Sequence, residues 1–179
     1  DPTVKRQSGF LMPSLGSSTN FGSSLNIPYY HVLSENKDFT VRPRLYSDKK
    51  ILLQNEYRQK TKNSFTIADF SIVNGHDSSP QDKGGTRSHL FTNTLVDLSL
   101  NSFKKSMLQI NYQKVSNDNY LKLFNLESPL LLEDNSVLES KIQFDLEHQN
   151  YDLTASFEMY ETLSGSNSDR FQYVLPLSL

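Results

Sequence analysis

The side chains of this sequence that most often carry out chemistry are not spaced for catalysis or for metal binding. Its four histidines are His31, His76, His89 and His148, and the sequence predicts strand ends or loops for all of them. None belongs to an HExxH motif or a similar set of metal ligands, and no serine lies in a GxSxG nucleophile elbow. The sequence therefore predicts no catalytic step, no metal site and no cofactor.

Two polar stretches are the remaining candidates for chemistry. The segment GHDSSPQDKGGT, residues 75–86, lacks the strand and helix context of a phosphate-binding loop and the DxDxDG spacing of a calcium loop. Glu139, Asp145 and Glu147 share the polar face of a predicted strand, where solvated charge is the usual role. An acid–base pair, as in barrel lipid hydrolases, is the alternative for these carboxylates. We interpret 75–86 as a polar loop.

Composition narrows the class of protein. The 179 residues carry a net charge of −2, with 36% hydrophobic residues and a mean hydropathy of −0.55. This charge gives no basic footprint for a nucleic acid, so no nucleic-acid partner is expected. Eleven Phe and nine Tyr argue against disorder and fit strands that are apolar on one face. There is no cysteine and no apolar run of the length of a membrane-spanning helix.

Alternation of apolar and polar residues is the dominant pattern. In VLESKIQFDLEH, residues 137–148, Leu138, Ile142 and Phe144 alternate with charged or amide side chains, which indicates a strand with one apolar face. The same pattern predicts an all-β antiparallel meander of about ten strands, with YLKLFNL at 120–126 as a short helical turn. The predicted strands lie near residues 8–17, 21–32, 38–46, 51–61, 64–73, 89–100, 105–114, 137–147, 151–160 and 170–177.

The predicted connections differ in length between the two ends of the meander. Every even-numbered connection is short, whereas three odd-numbered ones are long, at 74–88, 115–136 and 161–169. Tight turns at one end and long loops at the other are typical of outer-membrane barrels. A soluble antiparallel barrel or sandwich alternates in the same way, and alternation alone does not decide which face is outside.

Two prolines interrupt the first predicted hairpin. Pro13 lies within FLMPSL and Pro28 within LNIPYY. Proline has no backbone N–H, so it removes a hydrogen bond from a sheet and is usually confined to edges and bulges. Each proline is therefore either a bulge that turns its nitrogen away from the ladder or a deliberate weakening of this strand pair.

The sequence of this hairpin resembles a known family. SGFLMP at 8–13, IPYY at 27–30, VRPRLY at 41–46 and QNEYR at 54–58 are similar to the start of the barrel domain in the LptD family, the organic solvent tolerance proteins. INYQKVSNDNYLKLF at 110–124 is similar to a later strand and loop of that family. The likeness extends over most of the chain and is most specific in the first sixty residues.

The resemblance implies a fold, a function and partners. Residues 1–179 would be the first strands of a large transmembrane β-barrel in the outer membrane of a Gram-negative bacterium, inside a longer parent. The barrel would transport lipopolysaccharide into the outer leaflet, through a lateral gate at Pro13 and Pro28. Its partners would be lipopolysaccharide, outer-membrane lipids, an LptE-like lipoprotein plug and, through a missing N-terminal domain, the periplasmic Lpt bridge.

Polar strand faces are the candidates for the lining of the barrel. On the third and fourth strands they present Arg42, Arg44, Glu56 and Arg58. These side chains either line a hydrated path for the sugar of lipopolysaccharide or solvate the interior, as in any large barrel. Two other functions stay open for the chain, namely a general porin or uptake channel and a soluble lipid-binding barrel.

Overall fold

The computed structural model describes residues 6–48, 50–76, 85–131, 136–163 and 170–179, which contain thirteen β-strand segments and one short α-helix. No helix in these ranges is long and apolar enough to cross a membrane. The segments are β1 (Gly9–Phe10), β2 (Ser14–Ser18), β3 (Gly22–Asn26), β4 (Tyr29–Ser34), β5 (Lys37–Tyr46), β6 (Ile51–Lys60), β7 (Ser64–His76), β8 (Gly85–Asp97), β9 (Lys105–Val115), α1 (Tyr120–Leu123), β10 (Val137–Glu147), β11 (Asp152–Thr162), β12 (Phe171–Val174) and β13 (Leu177–Ser178).

All thirteen segments form one antiparallel sheet, and from β5 to β12 each strand pairs with the next along the chain. β1 and β2 follow each other along the first edge and pair with β4 and β3, and both of the latter pair with β5. At the other edge β12 and β13 both pair with β11. The sheet therefore has ten rows, which confirms the predicted ten-strand meander. It is open, and its shape is consistent with part of a barrel.

Short interruptions at prolines divide three of the predicted strands. The first breaks at 11–13, the second at 27–28 and the tenth at 175–176. Pro43, in contrast, lies inside the continuous strand β5. We call the pair of interrupted rows formed by β1–β4 the first hairpin, and its β2–β3 part the hairpin tip.

The register gives the sheet an inner and an outer face. Across β5, β6, β7 and β8, Thr40 pairs with Glu56, Glu56 with Asp69, and Asp69 with Phe91. All four are buried, and we call the face that carries them the inner face. Since successive side chains of a strand point to opposite faces, the residues between them form the outer face.

The outer face is a broad apolar surface. It lacks a packing partner within the described part of the chain, and many of its large side chains are 36–45% exposed. Paired positions across the rows place these residues side by side. They include Leu45, Leu53, Ile72, Leu90, Ile110, Ile142, Phe144 and Phe157.

The inner face has a small hydrophobic core at the end where the long connections lie. Residues 116–131, which we call the inner loop, pack against this face and contribute Tyr120, Leu121 and Phe124 to the core. The remaining buried members include Phe21, Tyr46, Leu52, Val73, Phe91 and Val115. The predicted helical turn in this loop is confirmed as α1, which is held by backbone bonds such as Phe124 N to Tyr120 O at 3.2 Å.

The lengths of the connections follow the predicted alternation in part, since the connections at 98–104 and 77–84 are nearly equal in length. At one end the strands are joined over 35–36, 61–63, 98–104 and 148–151, and at the other the long connections lie at 77–84, 116–136 and 163–170. β8 begins at Gly85 rather than near residue 89, so most of the predicted loop 75–86 lies outside the described residues. The prediction that every histidine lies at a strand end or in a loop is wrong for His31 in β4 and His89 in β8.

Candidate functional site

Pro28 removes one hydrogen bond between the first two rows. Leu11 N donates to Pro28 O at 2.9 Å, so these two residues face each other as a hydrogen-bonded pair. In an antiparallel sheet such a pair exchanges two bonds, but Pro28 has no N–H to donate to Leu11 O. The nitrogen of Pro28 therefore points into the ladder of the first hairpin, not away from it.

Pro13 lies in a bulge of the first row. Leu11 is opposite Pro28 and Ser14 is opposite Asn26, so Met12 and Pro13 together face the single residue Ile27. One extra residue on one strand is the defining feature of a β-bulge. In the register that begins at Ser14, Pro13 occupies a non-hydrogen-bonded position opposite the second row. Its backbone nitrogen therefore points toward the open edge of the sheet.

Pro43 repeats the loss on the other side of the second row. Ile27 N donates to Pro43 O at 3.1 Å, and Pro43 has no N–H to return to Ile27 O. The adjacent residues Ile27 and Pro28 therefore each make one ladder bond where a regular strand makes two. The second row therefore lacks one ladder bond on each side at this level.

A proline at the far edge of the sheet has the same effect. Ser156 N donates to Pro176 O at 3.0 Å, between β12 and β13, and the returning bond is missing because Pro176 is an imino acid. The register of the last row is the same on both sides of this proline. Loss of one ladder bond is thus not special to the first hairpin. In the first hairpin, however, the lost bond at Pro28 lies next to the bulge at Pro13.

Three of the four predicted lining residues form one charged network on the inner face. Arg42 Nη2 lies 3.2 Å from Glu56 Oε2, and Arg58 Nε lies 2.9 Å from Glu56 Oε1. Arg58 Nε is also 3.2 Å from Asp38 Oδ1, and Arg6 pairs with the same carboxylate. Both carboxylates are almost completely buried, whereas the arginines are partly exposed. The positively charged guanidinium groups are therefore the exposed part of this network on the inner face.

Arg44, the fourth predicted residue, has a different role because it holds the inner loop. Its Nη1 donates to Phe124 O at 2.8 Å. The Phe124 ring stacks on the Phe21 ring, with centroids 4.8 Å apart and an angle of 11°, and lies edge-on to Tyr46. Since Phe21 belongs to the turn of the hairpin tip, these contacts fix that tip to the inner loop. The sequence gives no signal for this contact, which joins residues about a hundred positions apart.

A buried chain of polar side chains fixes the same loop to the sheet. The Tyr120 hydroxyl lies 2.7 Å from Ser71 Oγ, which lies 2.6 Å from His89 Nδ1, and Asp69 Oδ1 is 3.5 Å from His89 Nε2. All four residues are buried. Burial raises the pKa of Tyr120 to about 12, although the hydrogen bond with Ser71 lowers it in part.

This series of hydrogen-bonded side chains contains the residue types of a hydrolase triad, but the side chains hold the inner loop in place. Tyr120 and His89 occupy both sides of Ser71 Oγ, so in the described structure no space is left beside that oxygen for a substrate carbonyl. We interpret Ser71, His89 and Asp69 as the polar anchor of the inner loop. The sequence alone does not indicate this anchor, because Ser71 and His89 meet only through the register of β7 and β8.

An ion cluster closes the loop end of the sheet. Glu161, at the end of β11, lies 2.8 Å from Lys114 Nζ and 2.8 Å from Arg170 Nη2. Arg170 also pairs with Asp118 of the inner loop at 2.7 Å, and these acidic partners raise its pKa further above the usual value of an arginine. The inner loop is thus attached at both sides of the sheet, to the first hairpin through Phe124 and to the later strands through Asp118.

Comparison with known proteins gives a consistent set of relatives. No family model matches the chain. It is 28% identical to the LPS-assembly protein LptD of Nitrosococcus oceani over 171 residues, which cover 90% of this chain and 21% of that protein. The identity to the protein of the same name in Legionella pneumophila is also 28%, over 178 residues that cover 90% of this chain and 20% of that protein.

A shorter stretch is more similar. Over 60 residues, which are 34% of this chain and 6% of the relative, the identity to the LPS-assembly protein LptD of Ectopseudomonas mendocina reaches 45%. These matches confirm the resemblance that the sequence motifs indicated. The chain spans about a fifth of the length of the curated relatives that match most of it.

Proposed function

We propose, from the premise that this chain is related to LptD, that it supplies the first ten rows of a large outer-membrane barrel that inserts lipopolysaccharide into the outer leaflet, and that its first hairpin is one side of a lateral gate. The observation that carries the gate is the incomplete pairing at Pro28 beside the bulge at Pro13. The chain as a whole, residues 1–179, is part of the barrel wall.

Incomplete pairing lowers the free-energy cost of separating rows at the first edge. A ladder bond contributes about 1 kcal/mol net in water. A backbone group left without a partner in hydrocarbon costs several kcal/mol. Leu11 O has no returning bond from Pro28, and Pro13 has no donor to offer at the open edge. The closed arrangement of this edge is therefore less favourable than that of a regular strand, and an open arrangement is correspondingly closer in free energy.

The two faces of the sheet fit the two environments of such a barrel. The outer face is apolar and exposed, as a surface in contact with outer-membrane lipids requires. The inner face carries the network of Arg42, Glu56 and Arg58, with Arg44 beside it, and would line a hydrated path for the sugar of lipopolysaccharide. Beyond these residues, the proposed partners are an LptE-like lipoprotein in the lumen and the periplasmic Lpt bridge, reached through a domain before this segment.

Photocrosslinking in cells that make the full-length protein tests the gate. A photoreactive phenylalanine analogue replaces Leu11, which faces the inner side beside Pro28, or Phe10, which faces the outer side. Ile142 on the outer face of β10 is the control, since Leu11 and Ile142 are 45% and 44% exposed. We expect lipopolysaccharide adducts at positions 10 and 11 and few at position 142. Equal labelling at all three positions would mean ordinary lipid contact and would contradict the gate.

A further inference from the structure

The chain that leads into β1 turns away from the second row before the strand begins. β1 consists of Gly9 and Phe10 alone. A longer ladder would place the backbone of Gln7 opposite Val32, and the N–H of Val32 would donate to the carbonyl of Gln7. Val32 N donates instead to the side chain of Ser8, at 2.8 Å from its Oγ. The ladder between the first two rows therefore ends at Gly9.

Arg6 reaches across the second row to the third. Its guanidinium lies over the ring of Tyr30, with Cζ 5.8 Å from the ring centroid, and it pairs with the carboxylate of Asp38 in β5. Tyr30 is opposite Thr40 of the inner face, and Asp38 shares that face because it lies two residues before Thr40. Arg6 therefore ties the start of the first row to the third row along the inner face, without using the ladder.

This ion pair supplements a short and incomplete ladder. From its start to the bulge at Pro13, the first row makes the two residue pairs of β1 and the bond from Leu11 N to Pro28 O. Pro28 returns no bond, and the Ser8 side chain adds one contact with the second row. So few ladder bonds hold an edge row only weakly. The pair between Arg6 and the third row is therefore a large part of what attaches this row at the end of the sheet with the short connections.

Arg6 can leave Asp38 without leaving a buried charge unpaired. The side chain of Asp38 is only 4% exposed, and a buried carboxylate that loses its only cation is strongly destabilising. Arg58 Nε, however, lies 3.2 Å from Asp38 Oδ1, whereas Arg6 pairs with Oδ2. The Arg6 side chain is 48% exposed, and a cavity of about 340 Å³ borders both it and Asp38. The contact is therefore reversible, because the released guanidinium enters water and Asp38 keeps its second partner.

We propose that Arg6 and Asp38 form a latch that holds the first row closed at the end with the short connections, and that release of Arg6 frees this row to separate from β4. The proposal rests on the proposed function, because the first row is one side of the lateral gate. Arg6 lies outside the ladder and before β1. A displacement of the chain at Arg6 is therefore passed to the gate through this one ion pair.

Hydrogen exchange of the peptide 7–12 in the full-length protein in detergent tests the latch. Arg6→Gln removes the charge, and we expect exchange there to become about two- to fivefold faster. Arg6→Lys keeps the charge and should restore most of the protection. Lys141→Gln is the matched control, because Lys141 pairs with Glu139 at 3.5 Å on β10, far from the first edge, and it should leave the peptide unchanged. Unchanged exchange in Arg6→Gln, or equal acceleration in Arg6→Lys or in the control, would overturn the latch.

Photocrosslinking at Leu11 separates the latch from the gate. With Arg6→Gln added to the protein that carries the photoreactive residue at position 11, we expect lipopolysaccharide adducts to rise by about two- to fivefold, in step with the exchange. Faster exchange in Arg6→Gln without adducts in either protein would leave the latch standing and refute the gate. Adducts in the protein with Arg6 intact, together with exchange that Arg6→Gln does not change, would refute the latch alone.

Discussion

Tyr120 shows how one side chain fixes the inner loop. Its pKa is raised to about 12 by burial, whereas an exposed tyrosine titrates near 10. A raised pKa means that the folded state favours the neutral phenol. The contribution of Tyr120 to stability is therefore complete below pH of about 10 and is lost as the pH rises through about 12.

Alkaline titration checks this assignment. Absorbance of tyrosinate near 295 nm, measured on the full-length protein and on its Tyr120→Phe variant, should differ by one titrating group with a midpoint close to 12. A midpoint near 10 for that group would show that the phenol is exposed and that the inner loop does not pack on Ser71.

Glu56 is the residue on which the inner-face charge network depends. It pairs with both Arg42 and Arg58 while it is almost completely buried. Glu56→Gln removes the anionic partner of Arg42 and leaves Arg58 with Asp38, and we expect it to destabilise the barrel by about 1–3 kcal/mol. The control is Asp48→Asn, which removes the more exposed pair with Lys50 and should cost under about 1 kcal/mol.

Urea unfolding of the full-length protein in detergent, followed by far-ultraviolet circular dichroism, measures both changes in the free energy of unfolding. Equal effects of the two substitutions would mean that the network on the inner face is no more important than an ordinary exposed ion pair.

The sequence predicted Arg42, Glu56 and Arg58 as neighbours on one face, because β5 and β6 alternate regularly. It did not predict Arg6 as a partner of Asp38, since that contact depends on where the chain before β1 lies; Asp38 itself lies in β5, opposite Arg58.

Alternation predicted the limits of five uninterrupted strands well, and those of β7, β8 and the rows interrupted by proline less well. β5, β6, β9, β10 and β11 begin and end within two residues of their predicted limits, because apolar and polar side chains alternate along most of each strand. The first, second and tenth strands are interrupted where proline removes a donor. Whether the proline nitrogen points into the ladder or away from it depends on the register of the strands. A single sequence does not supply that register.

The inner loop is the element that sequence analysis described least. Its helical turn was predicted, but its packing on the inner face was not, because apolar residues in a loop give no periodic signal. Phe124 is the central contact between this loop and the hairpin tip. We predict that Phe124→Ala speeds hydrogen exchange in the hairpin tip, residues 14–26, because truncation of a buried aromatic ring costs about 3–5 kcal/mol of packing.

Hydrogen exchange with mass spectrometry on the full-length protein makes this measurement peptide by peptide. Phe103→Ala is the control, since Phe103 packs against His148 and Tyr151 at the opposite end of the sheet. Exchange in the hairpin tip that is unchanged in Phe124→Ala, or equally fast in both variants, would show that the loop does not hold the tip.

At the scale of the whole molecule, the sheet has an apolar outer face and two edges without partners in the described residues. Unpaired edges and large apolar patches promote association. We predict that the 179-residue segment, produced without the rest of a barrel, self-associates in buffer and needs detergent to stay dispersed. Sedimentation velocity checks this, and a stable monomer in buffer would favour the soluble lipid-binding barrel that the sequence left open.

We infer that the missing ladder bond at Pro28 helps the first hairpin to open for lipopolysaccharide. Its most direct test is the rate at which newly made lipopolysaccharide reaches the cell surface in a strain that carries Pro28→Ala in the full-length protein. Alanine restores the donor toward Leu11 O. Pro176→Ala, which restores the equivalent bond to Ser156 at the other edge of this segment, is the control. We predict slowing by about three- to tenfold for Pro28→Ala, as expected for one added bond, and an unchanged rate for Pro176→Ala. An unchanged rate for Pro28→Ala, or equal slowing in both strains, would contradict it.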